Sequence, residues 1–278
     1  MRSPRLCWRK RDGQRLWLRE QRDGLKMTDY LINYRRTRRP GYVAGIQPPL
    51  TPGLYPTANL NFHIKADSLA LSDGDKVASW TELIFGNHPV QATESQKPTF
   101  KVSIINGLPI VRFNATASTC LYAPNKVITI PAESSYYSVV NIGSSVSGPI
   151  FKDNMTNSGI GFGVGSSTLE DNGNNIVGAY YGVNWINSSV VYGLSPVLVS
   201  FHTNADTTLL TVYKNGNLIY SPTLDSAQGG TSGFGIGCDD WPRYLTGDIA
   251  EVMVYSVLHD TTTRQQVEAY LNSKYALW

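Results

Sequence analysis

The chain is short of cysteine, methionine, histidine and charge. Its 278 residues include 3 Cys, 4 Met and 4 His, and Asp, Glu, Lys and Arg together make 16 %, against about a quarter in an ordinary globular domain. Cys7, Cys120 and Cys238 are odd in number, far apart and without a CxxC pair, so their spacing supports neither a disulfide framework nor a zinc site. The expectation is buried or incidental thiols in a chain made in a reducing cytosol. No apolar run approaches the roughly 18 residues of a membrane span. The N-terminus alternates Arg with polar residues and lacks the apolar stretch of a secretory signal.

Catalytic patterns are missing as well. His63, His88, His202 and His259 are scattered, with no His-x-x-x-His, and read as surface or packed histidines. There is no Gly-x-Ser-x-Gly elbow. Gly161-Phe162-Gly163-Val164-Gly165 has no GK[ST] and no following helix, so it reads as a glycine-rich strand rather than a phosphate loop.

What is present is 25 Gly, 15 Pro and 16 Tyr with 41 % hydrophobic residues. That is enough to build a core, and it leans to turns and β-favouring aromatics. Short β-type runs recur between Gly, Asn, Asp and Pro clusters: 108–113, 136–140, 197–201 and 249–255. Asn215-Gly216 between 208–213 and 218–220 is a tight-hairpin signal, because both residues tolerate positive φ. Many short strands without intervening helices predict an all-β sandwich. One helix is expected at the end, capped by Asp260, with Val267, Tyr270, Leu271 and Tyr275 on one face. Trp80 is expected in the core, and Asp73-Gly74-Asp75 in a turn. Glu251 alternates with Ala250 and Val252, and if buried it needs a partner, for which Arg112 and Arg243 are the candidates.

Charge divides the chain. Residues 1–50 hold 13 Lys/Arg against 4 Asp/Glu, a balance of +9, and residues 51–278 hold 11 against 17, a balance of −6. The division is a basic, Pro-rich N-terminal arm and linker over 1–56 and an acidic body over 57–278. Met27 offers a second plausible start, so the Arg-rich segment before it reads equally as an upstream extension. Phosphate contacts would use Arg2, Arg5, Arg9, Lys10, Arg11 and the cluster Arg35, Arg36, Arg38 and Arg39. Nothing folded is indicated in the arm and the body offers no nucleic-acid fold. An anchoring arm that orders against a neighbouring protein is therefore the preferred use, and nucleic acid is not the expected partner.

Two blocks carry a family resemblance over about 57–278. The first runs from Leu60-Asn61-Phe62-His63-Ile64 through Asp73-Gly74-Asp75 and Trp80 to Asn106-Gly107-Leu108-Pro109-Ile110-Val111-Arg112-Phe113. The second is Gly247-Asp248-Ile249-Ala250-Glu251-Val252-Met253-Val254-Tyr255 with 266–275. Together they resemble the laminin-G-like branch of the concanavalin A-like lectin/glucanase superfamily, in the form found in phage structural and bacterial surface proteins. The resemblance implies a jelly-roll sandwich of two antiparallel sheets. The stretch Glu82-Leu83-Ile84-Phe85-Gly86 departs from the family pattern and puts in doubt a polar or metal site on that loop. Hydrolases of the superfamily carry Glu-x-Asp-x-Glu on one strand so that the acids share a face. That triplet is missing here, and the expected protein is not an enzyme.

Two aromatic segments with polar neighbours are candidate carbohydrate sites: Tyr180, Tyr181 and Trp185 in one, Asp240, Trp241 and Arg243 in the other. The resemblance also admits calcium at the sandwich rim. Asp239 and Asp240 are the candidate ligands, a solvated turn is the alternative, and the oxygen-rich loop 171–175 stands undecided beside them. The expected protein is a virion component made in a host cytoplasm, such as a phage decoration, fibre or tail protein. Its arm would anchor it in an oligomeric assembly while the lectin-like domain is displayed, with host glycans as further partners. The alternative is a carbohydrate-binding module of a bacterial surface protein.

Overall fold

The computed structural model describes residues 6–11, 14–19, 54–123, 131–142, 148–153, 160–165, 175–180, 184–204, 209–223, 233–239 and 243–278. The chain divides into two compact units, Met1–Pro48 and Pro49–Trp278. In the first unit, β1 (Leu6–Arg11) and β2 (Gln14–Arg19) pair antiparallel, Trp8 opposite Trp17. This corrects the expectation that nothing folds in the arm: Asp12-Gly13 separates two runs of strand composition, a hairpin signal that the arginines obscure. The anchoring residues Arg35, Arg36, Arg38 and Arg39 lie outside the described residues.

The second unit begins with β3 (Leu60–Lys65), β4 (Thr99–Ile105), β5 (Leu108–Phe113) and β6 (Leu121–Ala123). β7 (Ser134–Asn141), β8 (Gly148–Asp153), β9 (Ile160–Gly165), β10 (Asn175–Tyr180) and β11 (Asn184–Val191) follow. β12 (Val197–Asn204), β13 (Leu209–Lys214), β14 (Asn217–Tyr220), β15 (Phe234–Ile236), β16 (Gly247–Tyr255) and helix α1 (Thr261–Tyr275) complete it. The strands form two antiparallel sheets. One has six strands in the order β11-β10-β9-β8-β15-β6; the other has eight, β14-β13-β12-β7-β16-β5-β4 with β3 beside β16. This is the expected all-β sandwich with one C-terminal helix.

Two apolar layers hold it together. Between the sheets, Phe62, Tyr136, Phe151, Phe162, Phe201, Phe234, Val252 and Val254 form the main core, and Trp80 is fully buried with it. The indole N–H of Trp80 donates to the Lys65 carbonyl at 3.0 Å, which satisfies a donor that burial would otherwise strand. On the other face of the eight-stranded sheet, Tyr137, Val139, Leu198, Met253 and Tyr255 pack against Val267, Leu271 and Tyr275 of α1. Because β7, β12 and β16 are covered on both faces, they are buried almost throughout rather than on alternate residues, their polar side chains included.

Local chemistry sets the boundaries. Asp260 caps α1, its carboxylate accepting from the Thr263 N–H at 2.7 Å. Asn215 at φ 49° and Gly216 at φ 75° turn β13 into β14. In β16 a register shift between Ile249 and Glu251 inserts Ala250 as an extra residue, so strict alternation fails there. Ala250 joins Met253 and Tyr255 in the helix-side layer. No helix among the described residues is long and apolar enough to cross a membrane.

Candidate functional site

The six-stranded sheet has one face in the core. Direct register partners Phe162, Phe151, Ile236 and Leu121 run across β9, β8, β15 and β6 on that inner face, and all four are buried in the main core. Side chains alternate along a strand, so the neighbouring row belongs to the outer face. That row is Trp185, Ala179, Gly161, Lys152, Gly235 and Tyr122, each directly opposite the next. Tyr122 in turn exchanges both backbone hydrogen bonds with Val90, at 2.9 Å each. One register line therefore crosses the whole sheet, with an aromatic residue at either end and small residues beside the lysine.

The small residues are required by packing. A Cβ on Gly161 would stand 2.8 Å from Lys152 Cδ and 2.9 Å from the Phe151 carbonyl. The missing side chain lets the lysine lie across β9, and Lys152 is only 3 % exposed. After β15 an antiparallel bridge joins Cys238 to Tyr244. Next to these two residues, Arg243 Nη2 and the Asp239 carboxylate pair at 2.6 Å, the carboxylate being fully buried. A Cβ on Gly148 would strike the backbone at Tyr244 and Leu245, so glycine in β8 permits that backbone to sit close.

Cys120 and Cys238 form a disulfide, with Cα atoms 5.4 Å apart. This corrects the reading of both as free thiols of a reducing compartment. They are 118 residues apart in sequence, too far for spacing to reveal, but each adjoins one of the two paired strands β6 and β15.

The expected site residues separate. Trp185 lies on the outer row, whereas Tyr180, opposite Asn184 and Ile160 and one step beyond Ala179, holds a core-face register position. Tyr181, Asp240 and Trp241 lie outside the described residues, as do 171–174. Asp239 and Arg243 are brought together, as a pair with each other. No cluster of three or more His, Cys, Asp or Glu suited to a metal occurs among the described residues. Lys152 and Tyr122 were not singled out from the sequence. Their signal was an outward strand position opposite glycines, readable only once the pairing of strands is known.

The buried carboxylates of the unit are engaged. Glu82 accepts backbone N–H groups of Ile84 at 2.8 Å, Phe85 at 2.7 Å, His63 at 3.2 Å and Asn87 at 3.3 Å. Asp248 makes a two-pronged pair with Arg112, at 2.7 and 2.9 Å, and Glu268 accepts from Arg264 at 2.6 and 2.7 Å. Glu251 meets His63 Nε2 and Lys274 Nζ, each at 2.7 Å, and accepts from Tyr275 at 2.8 Å and Tyr270 at 3.2 Å. Its partners are thus not Arg112 or Arg243, which serve Asp248 and Asp239. Burial pushes the Glu251 carboxyl up, but the hydrogen bond and charge of His63 and then of Lys274 outweigh it and hold the group at about 2.

No protein-family model and no curated protein matches the chain. Solved structures do. Domain 4 of AbnA, a GH43 extracellular arabinanase from Geobacillus stearothermophilus in complex with arabinotriose, is 13 % identical with a TM-score of 0.51, over 74 % of this chain and 96 % of that one. An arabinofuranosidase complexed with arabinofuranosyl-alpha-1,2-xylobiose is 13 % identical, TM-score 0.58, over 82 % of this chain and 61 % of that one. The binding domain of Paraclostridial Mosquitocidal Protein 1 is 12 % identical, TM-score 0.51, over 77 % of this chain and 52 % of that one. The chain therefore spans between half and two thirds of the last two. At such identities the likeness is one of fold, and it agrees with the two-sheet sandwich.

Proposed function

We propose that the Pro49–Trp278 unit is a non-catalytic, lectin-like carbohydrate-binding sandwich of the laminin-G-like kind. Its binding surface is the outer face of the six-stranded sheet. The observation that carries this reading is the register line from Trp185 to Tyr122. With strands about 4.8 Å apart, its five steps extend about 24 Å, room for several sugar rings. A row of that length with an aromatic residue at each end is what a glycan needs for stacking. The similar arabinanase domain and arabinofuranosidase were solved with arabinose-containing saccharides, which supports the same ligand class. The non-catalytic reading is supported by the buried carboxylates, each held by a cation or by backbone N–H groups. The test is calorimetric titration of the full chain with arabino-oligosaccharides, xylo-oligosaccharides and β-glucans, with and without calcium. Binding lost at least tenfold in Trp185→Ala and Tyr122→Ala supports the site; no binding to any panel member, or turnover of one, overturns the reading.

A second reading concerns where the module acts. The division into two units, basic over residues 1–50 and acidic beyond, favours an anchoring arm carrying a displayed domain, as in a virion or cell-surface component. Removing residues 1–48 should abolish incorporation into the particle while leaving glycan binding intact. Unchanged incorporation would end the anchoring idea.

A further inference from the structure

Beneath the first half of α1 lies a buried polar seam that glycan binding does not use. Its donors and acceptors leave no slack. Ser200 Oγ donates to Glu268 at 3.4 Å, so it accepts from His202 Nε2 at 3.2 Å. That makes Nδ1 of the neutral imidazole the acceptor, and it receives the Ser135 hydroxyl at 2.9 Å. Ser135 Oγ in turn accepts the backbone N–H of His259 at 2.9 Å, while the Tyr137 hydroxyl is satisfied by donating to His259 Nδ1 at 2.8 Å. The rings of His202 and His259 flank Tyr137 at 5.4 and 5.8 Å between centroids. Both histidines are buried.

We propose that this His202–Ser135–His259 seam is an acid-release latch for the first half of α1. Protonation of the two imidazoles frees Thr261–Glu268 from the sheet, while the Glu251–Lys274 contact keeps the last turn docked. Adding a proton to His202 Nδ1 turns that nitrogen into a donor, and the Ser135 hydroxyl hydrogen loses its acceptor. Adding one to His259 Nδ1 does the same to Tyr137. Each event buries a charge and leaves a polar hydrogen unpaired, and both disfavour the docked helix.

The groups facing the seam come from every packed element. They are Tyr137 on β7, Tyr213 on β13, Tyr255 on β16, Asp260 at the helix cap, and Arg264 and Glu268 on α1. Burial, then the charges of His259 and Arg264, hold His202 well below its ordinary value. Burial holds His259 down at about 4 against a small opposing pull from Asp260. A histidine depressed on folding contributes stability that is present above its ordinary 6.5 and is lost as pH falls through the folded value. Glu268 acts in the opposite sense: burial raises its carboxyl, so its own protonation favours docking and offsets part of the release. Two imidazoles stand against that one carboxyl. At the far end, Glu251 stays charged down to about 2, so the last turn outlasts the first.

The test is hydrogen exchange of the full chain read by mass spectrometry at pH 7.0, 5.5 and 4.0, corrected for intrinsic exchange rates. The expected result is at least a tenfold loss of protection over 261–268 by pH 4.0, with 271–275, β7 and β16 unchanged. His259→Gln, which keeps a partner for Tyr137 and cannot charge, should move the loss to lower pH. Flat protection over 261–268 down to pH 4.0, or loss in step with β7 and β16, overturns the latch. The unmodified protein decides the matter by itself if the variant fails to fold.

Discussion

Lys274 Nζ lies 2.7 Å from the Glu251 carboxylate and 3.1 Å from Asp67, so one lysine near the end of α1 joins β16 to the turn after β3. Glu251 is 1 % exposed, and an isolated buried carboxylate would be strongly disfavoured. The three further polar atoms that His63, Tyr270 and Tyr275 bring, together with this lysine, make the burial tolerable. The same group of residues holds the entry of the chain, since Tyr55 OH stands 3.1 Å from His63 Nδ1 and the Tyr255 hydroxyl donates to the Pro56 carbonyl at 2.8 Å.

Glu251→Gln should therefore lower stability by about 3 kcal/mol at pH 7, the scale for removing one member of a buried pair. The effect should depend on pH in a definite sense. The folded carboxyl is held at about 2, below its ordinary 4.5, so its contribution is complete above pH 4.5 and disappears as pH falls towards 2. Urea titrations of both proteins from pH 7 to pH 2.5 should converge at the acid end. A gap that stays constant with pH would show that the carboxylate's charge is not what stabilises the helix.

The disulfide closes a long loop, its two cysteines standing 118 residues apart. Replacing Cys120 and Cys238 together by Ala should cost about 5 kcal/mol in the chain-entropy account for a loop of about 100 residues, seen as a lower urea midpoint. Under denaturing conditions, an alkylating reagent should label one cysteine before reduction and all three of the chain's cysteines after it. Three labelled before reduction would remove the bond from the account.

Much of the fold was legible in local pattern. The runs at 108–113, 197–201 and 249–255 fall inside β5, β12 and β16, and the Asp260 cap and the Asn215-Gly216 turn stand where their chemistry demands. Those signals act over a few residues. What could not be read is what depends on strand order. His63 and Glu251 are 188 residues apart in sequence, Cys120 and Cys238 are 118 apart, and the outer row exists only when six strands are in register. Even Tyr180 and Trp185, close in sequence, take register positions of opposite parity, opposite Asn184 and Ala179, and only the pairing reveals this.

The hairpin turn gives a clean backbone test. Gly216 holds φ 75°, and a Cβ there would meet only Glu268 Oε2 at 3.6 Å and Trp278 Cζ2 at 3.8 Å, ordinary contacts. Gly216→Ala should thus cost about 1 kcal/mol, the left-handed conformation alone. A cost several times larger in urea unfolding would mean that the turn and α1 are more closely packed than these distances allow.

Glu82 organises the turn that follows it. Its carboxylate gathers the N–H groups of Ile84, Phe85 and Asn87 and that of His63 on β3, while the Glu82 N–H donates to His88 Nδ1 at 2.9 Å. The side chain does from within what a bound ion or a further strand would otherwise do: it satisfies the backbone of a turn whose own residues, Leu83, Ile84 and Phe85, point outward half-exposed. Glu82→Ala strands those donors, and at about 1.5–3 kcal/mol for a hydrogen bond to a charged group the turn cannot hold its shape. Glu82→Gln retains one acceptor oxygen and should fall between. Amide exchange over 83–88 should speed by more than tenfold in the alanine variant and less in the glutamine one. Equal rates in all three proteins would mean that the turn is held by something other than this carboxylate.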